Sequence, residues 1–117
     1  MNVEEYREYC ISKKGVTESF PFDEVTLVFK VMGKMFALCG LEHVPLRVNL
    51  KCNPDKAIEL REEHDGIIAG WHMSKKHWNT VFLDKIAKDL TKELIDHSYD
   101  LVVSKLTKKV KAELEIL

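Results

Sequence analysis

Two hydrophobic spacings alternate along this chain, one of period three to four and one of period two. Val3, Tyr6 and Cys10 fall on one face of a helix, and Asn2 with Glu5 forms a capping-box pair at its start. Glu4, Glu5 and Glu8 complement the positive end of that helix dipole, and Gly15 ends the element. Residues 17–24, TESFPFDE, are too interrupted by Pro21 and charge for a long strand, so Phe20 and Phe22 are expected to cover the rim of a core. Leu27–Met32 and Met35–Gly40 read as two strands joined by Gly33-Lys34, a loop with glycine first as a type II′ hairpin turn requires. That loop predicts that Met32 faces Met35, Val31 faces Phe36, Phe29 faces Leu38 and Leu27 faces Gly40. Leu27, Phe29, Val31, Phe36 and Leu38 then share a core face, with Val28, Lys30, Met32, Met35, Ala37 and Cys39 on the other.

The segment Leu46–Lys51 alternates strictly, with Leu46, Val48 and Leu50 inward and Arg47, Asn49 and Lys51 outward. Asn53 and Pro54 then provide an N-cap and a first-turn proline for a helix to about His64, with Gly66 just past its end. From Gly66 to Asp84, GIIAGWHMSKKHWNTVFLD, two apolar arms (Ile67–Ala69 and Val81–Leu83) flank a polar tip that holds both tryptophans. The tip is either a turn between strands or a single helical turn over Lys75–His77 capped by Ser74. Leu83, Ile86, Leu90, Leu94, His97 and Leu101 restore the helical spacing, with a break expected near His97-Ser98 before a helix carrying Leu101, Val102 and Leu106. The order predicts one α+β domain over residues 1–117: an antiparallel sheet with N-terminal, middle and C-terminal helices packed against one face.

Composition narrows the class. The chain has 117 residues with 45% hydrophobic content, enough for one core. No apolar run spans a bilayer, and the acidic start MNVEEYREYC differs from a secretory signal, so the expectation is a soluble cytoplasmic protein without a membrane partner. Cys10, Cys39 and Cys52 form neither a disulfide framework nor a zinc knuckle, which fits a reducing compartment. The net charge of −1 is unevenly distributed. Residues 1–29 and 52–65 are acidic, whereas Lys30, Lys34, Arg47 and Lys51 in the middle are opposed by Glu42 alone.

PFDEVTLVFKVMGKMFAL (Pro21–Leu38), LKCNPDKAIELRE (Leu50–Glu62), HMSKKHWNTVFLD (His72–Asp84) and LIDHSYDLVVSKLTKK (Leu94–Lys109) together resemble the MmcQ/YjbR family of small bacterial proteins. The HxxKKHW and SYDLV segments are the most specific parts of the match. The resemblance implies a fold like that of CyaY, the bacterial frataxin homologue, and a predicted DNA-binding role with a double-wing motif. Carried onto this chain, the wings are the Leu27–Gly40 hairpin and the Ile67–Leu83 pair of arms.

The candidate nucleic-acid contacts are Lys75, Lys76 and His77 beside Trp78, extended across the sheet by Lys30, Lys34, Arg47 and Lys51. Lysines neutralise phosphates and an indole stacks on bases. The opposing structural reading makes Lys75 and Lys76 solvated turn residues and Trp78 a core plug. His72 and His77, with Cys52 or His64, lack the converging donors of a metal site. No catalytic or cofactor motif is present, since GxSxG, Walker, GxGxxG and HExxH patterns are all missing. The expectation is therefore a non-enzymatic protein with no cofactor that makes non-specific DNA backbone contacts. Two alternatives remain: a protein-interaction domain using Met32 and Met35, and a small-ligand cleft around Trp71, His72 and Trp78.

Overall fold

The computed structural model describes residues 1–117. The chain runs α1 (Val3–Ile11), β1 (Val16–Ser19), β2 (Thr26–Val31), β3 (Lys34–Gly40), β4 (Arg47–Lys51), α2 (Pro54–Glu63), β5 (Ile67–Ala69), β6 (Trp78–Phe82), α3 (Lys88–Ser104) and α4 (Lys108–Glu115). All six strands form one antiparallel sheet in the order β1-β2-β3-β4-β6-β5. Helix α3 lies across β2, β3 and β4, with α1 beside β1 and α2 beside β5. One sheet face is thus roofed by helices, and the other carries only loops.

The local signals at the helix starts act as their chemistry dictates. The Asn2 side chain accepts from the Glu5 amide while the Glu5 carboxylate accepts from the Asn2 amide, satisfying two orphan donors at once. Asn53 Oδ1 accepts from the amides of Asp55 and Lys56, and Pro54 opens α2. In β4, Val48 and Leu50 are buried under the helices while Arg47, Asn49 and Lys51 point to the opposite face, as the alternation predicts.

The hairpin differs from the predicted register. Its turn is Met32-Gly33, both with left-handed backbone (φ 49° and 83°), as a type I′ turn needs. Val31 therefore pairs with Lys34 and Lys30 with Met35, and Phe36 is an extra residue in a bulge, after which Phe29 pairs with Ala37 and Val28 with Leu38. The bulge turns β3 over, so Ala37 and Cys39 join Leu27, Phe29, Val31 and Phe36 in the main core, and Leu38 lies on the open face. Small residues at 37 and 39 let the helix layer approach closely: the Tyr6 ring packs edge-on against Phe29, and its hydroxyl donates to the Leu38 carbonyl at 3.4 Å. A leucine in that layer would hold the helices away.

Two further differences follow from tertiary contacts. Val16–Ser19 forms an edge strand, with Glu18 held from α1 by a bidentate Arg7 guanidinium. Helix α3 is continuous through His97-Ser98, because the Ser98 hydroxyl serves the sheet instead of capping a helix. It donates to the Phe36 carbonyl (2.5 Å) and accepts from the Lys51 amide (2.8 Å), linking β3 and β4 one residue beyond their last ladder pair, Ala37 with Leu50. Around Ser74 the chain makes a turn in which the His77 and Trp78 amides donate to the Ser74 carbonyl, and β6 begins at Trp78. No helix is long and apolar enough to cross a membrane.

Candidate functional site

The open face is built by alternate residues of β2, β3, β4 and β6. Val28 and Leu38 sit side by side there, and Trp78, opposite Lys51, closes over them with only 8% exposure. Met35 and Met73 pack on the same small cluster. Trp78 is thus a plug, and the exposed indole is Trp71, at 51%. Met32 packs on the main core and Met35 on the open-face cluster, and each remains half-buried.

The predicted nucleic-acid residues separate into three groups. Lys34, Lys51 and Trp78 come together at one end of the sheet, where they line a groove of about 280 Å³ with Met35, Val102, Lys105 and Leu106. Lys30 stands directly opposite Met35, one strand away. Lys75 and Lys76 are exposed on the β5–β6 loop, where the Lys75 carbonyl accepts from Arg61 and anchors the loop to α2. His77 is half-buried, its carbonyl accepting from the Cys52 amide. Arg47 stands apart at the other end of β4, with its guanidinium over the Phe82 ring (5.3 Å to the centroid).

Lys105 escaped the sequence reading. It follows the last residue of α3 and meets the sheet only through the three-dimensional fold. Burial lowers the Lys51 pKa, and the charge of Lys105 lowers it further. No carboxylate lines the groove, and the molecule's ion pairs (Arg7–Glu18, Lys13–Asp96, His64–Glu63 and Lys88–Glu5) leave Lys34, Lys51 and Lys105 without acidic partners. Three ammonium groups share a space that an anion would stabilise.

A second concavity, about 320 Å³, lies on the open face toward Arg47, between the loops that precede β2, precede β4 and follow β5. Phe22, Met35, Leu38, Trp71 and Met73 form its apolar walls, and Asp23, His43, Arg47, Asn49 and His72 its polar ones. No three His, Cys, Asp or Glu side chains anywhere in the fold converge as metal ligands would. The cysteines are buried and unpaired, and burial pushes the Cys10 and Cys39 thiols up to about 12.

The SYDLV segment is structural: besides the Ser98 clasp, Tyr99 packs edge-on against Phe36 and donates to the Lys14 carbonyl (2.5 Å), tying α3 to the end of the α1 region. The fold as a whole is similar to known structures. The crystal structure of a Deinococcus radiodurans protein with a DUF419 domain superposes with a TM-score of 0.91 at 42% identity, over 97% of this chain and 88% of that one. A Pseudomonas syringae protein of known structure gives 0.74 at 26% identity, over 86% of this chain and 98% of that one. In sequence, the chain is 34% identical to the uncharacterized protein YjbR of Escherichia coli K12 over 108 residues, 91% of each chain. It is 39% identical to the uncharacterized protein YbdF of Escherichia coli O157:H7 over 92 residues, 77% of this chain and 75% of that one. The YjbR family model matches residues 11–101, a span that holds every strand, α2, the Ser98 clasp and both concavities' sheet walls, and the chain belongs to the YjbR family.

Proposed function

We propose that this YjbR-family chain is a non-enzymatic cytoplasmic protein that binds the phosphate backbone of DNA with the basic end of its sheet. Lys34, Lys51 and Lys105 make the central contacts around the groove, Lys30 flanks them, and Lys75 and Lys76 add exposed charge from the loop. The observation that carries the reading is the convergence of three lysines on a groove without a carboxylate, with Lys51 partly desolvated and repelled by Lys105. A phosphate relieves that repulsion. Trp78 supports the reading as the floor that fixes Lys51 in place, since cross-strand neighbours position each other. Three buried, unpaired thiols fit the cytoplasm.

Fluorescence anisotropy with a labelled duplex of roughly 20 base pairs, titrated across salt, is the direct test. The expected result is sequence-independent binding that weakens steeply with salt. The triple variant Lys34→Ala, Lys51→Ala, Lys105→Ala flattens the slope by roughly one unit per lysine. Absence of binding at low salt, or an unchanged slope in the triple variant, refutes the proposal.

A further inference from the structure

The cleft beside Arg47 shares only Met35 with the lysine groove. Of the polar groups around it, Asp23 and Asn49 are satisfied within the protein and Arg47 is not. Asp23 is consumed by its own turn: Oδ1 accepts from the amides of Val25 and Thr26, and Oδ2 from the Thr26 hydroxyl, which together hold its pKa low. Asn49 is consumed as well, since Oδ1 accepts from the Thr80 hydroxyl and Nδ2 donates to the Trp71 carbonyl. Arg47 is different. Its Nε is buried without a hydrogen-bond partner, and no carboxylate pairs with its guanidinium.

The surroundings hold this cation ready. The guanidinium lies over the Phe82 ring, 5.3 Å from its centroid, a cation–π contact that leaves its planar donor fork without a protein carboxylate. The imidazole of His43 lies so close over Gly40 that a Cβ there would collide with it, so glycine is what allows the ring to sit against the strand. On the other side, the loop carrying Trp71 is tied down by its amide to the Thr80 hydroxyl (2.9 Å) and by its carbonyl to Asn49 (3.1 Å). His72 follows with φ 58°, a left-handed backbone uncommon in a non-glycine residue. Its ring stands edge-on to Trp71, which is half exposed above apolar walls of Phe22, Met35 and Met73.

One unpaired planar cation at the end of an apolar, preformed cleft selects a ligand with one planar anionic group and an apolar body. We infer that this cleft binds a small organic carboxylate with an aromatic or branched aliphatic body. The carboxylate accepts from Arg47, and the body lies between Trp71, Phe22 and the methionines. A phosphate dianion suits the cleft less well, because Arg47 is its sole permanent cation and the walls are mostly apolar. The inference is independent of DNA binding, which uses lysines at the other end of the sheet.

The test is an amide NMR titration of the full chain with phenylacetate, with 2-phenylethanol and inorganic phosphate in parallel. Saturable shifts at the Trp71 indole N–H, at residues 71–73 and at Arg47 are expected with phenylacetate, with Kd on the order of 0.1–1 mM for a ligand of this size. The neutral alcohol binds at least ~10-fold more weakly, and Arg47→Met weakens phenylacetate by a similar factor while keeping apolar cover on Phe82. Trp71→Ala, at an exposed position that folding tolerates, also weakens it. The proposal is overturned by no saturation up to roughly 10 mM, by equal binding of the alcohol, by phosphate alone saturating the same signals, or by a Kd unchanged in Trp71→Ala.

Discussion

Removing the Ser98 hydroxyl tests whether α3 completes the sheet. In Ser98→Ala the Phe36 carbonyl loses its donor and the Lys51 amide its acceptor, at a position with no solvent exposure. The alanine leaves a gap too small for a bridging water. Each stranded backbone group costs ~1–3 kcal/mol; relaxation of the β4 end argues for the lower half, so the sum is ~2–4 kcal/mol. That is a large share of the ~5–15 kcal/mol typical of a domain and corresponds to a fall in Tm of ~8–20 °C. Urea unfolding followed by circular dichroism measures it, with m unchanged if the native fold is retained. Hydrogen exchange adds a site-specific readout: the Lys51 amide should lose protection before the rest of β4. Ser104→Ala is the control, since its hydroxyl only bonds back to Leu101 at the exposed end of the same helix (2.6 Å) and its loss costs less than ~0.5 kcal/mol. If Ser98→Ala were as mild as that control, the clasp would contribute nothing and the continuity of α3 would need another cause.

Trp78→Ala should lower stability by ~3–5 kcal/mol and Trp71→Ala by less than ~0.5 kcal/mol, measured by the same unfolding assay, because only the first is a plug. His97 accepts the Asn53 amide on Nε2 (3.1 Å), which requires a neutral ring, and burial followed by the charge of Lys56 holds its pKa below the ordinary 6.5. The unfolded chain therefore binds the proton first: this stability is complete above 6.5 and is lost as pH falls from there through the folded value. An NMR titration placing His97 at or above 6.5 contradicts that sign. Cys10 and Cys39, with thiols pushed up to about 12, should resist a disulfide reagent at mild alkaline pH in the native protein and react at once in urea; rapid native labelling of either would mean that the helix layer opens readily.

What could be read from the sequence follows from how locally each feature is determined. The two faces of β4, the Asn2–Glu5 box and the Asn53-Pro54 start rest on contacts within a few residues, and they are as the pattern requires. The hairpin register rests on a choice between Met32-Gly33 and Gly33-Lys34, two turns that each contain the same glycine. Packing decides it: small Ala37 and Cys39 belong under the helices, and Leu38 belongs with Val28 and Trp78. Ser98 reads equally well as a cap or as a clasp, since both need a hydroxyl, and only the tertiary fold brings it to the Phe36 carbonyl and the Lys51 amide, where the β3–β4 ladder ends. β1 is masked by the nearby Pro21 and by Glu18, whose partner Arg7 lies across a turn on α1. The basic residues were visible, but their grouping was not: Lys105 enters from α3, whereas Arg47 leaves for another site.

That division has an electrostatic consequence. Arg47 and Lys51 share a face of β4 and are four residues apart, about 13 Å at the rise of an extended strand. This exceeds the screening length of ~8 Å at physiological ionic strength. Charge at one site should therefore leave the other unaffected. Arg47→Met should leave the salt slope of DNA binding unchanged within error, and the triple lysine variant should bind phenylacetate within about twofold of the parent, as distant independent sites do. If Arg47→Met flattened the DNA slope by a full unit, the guanidinium would be neutralising a phosphate, and the open face would be one continuous polyanion surface instead of two sites.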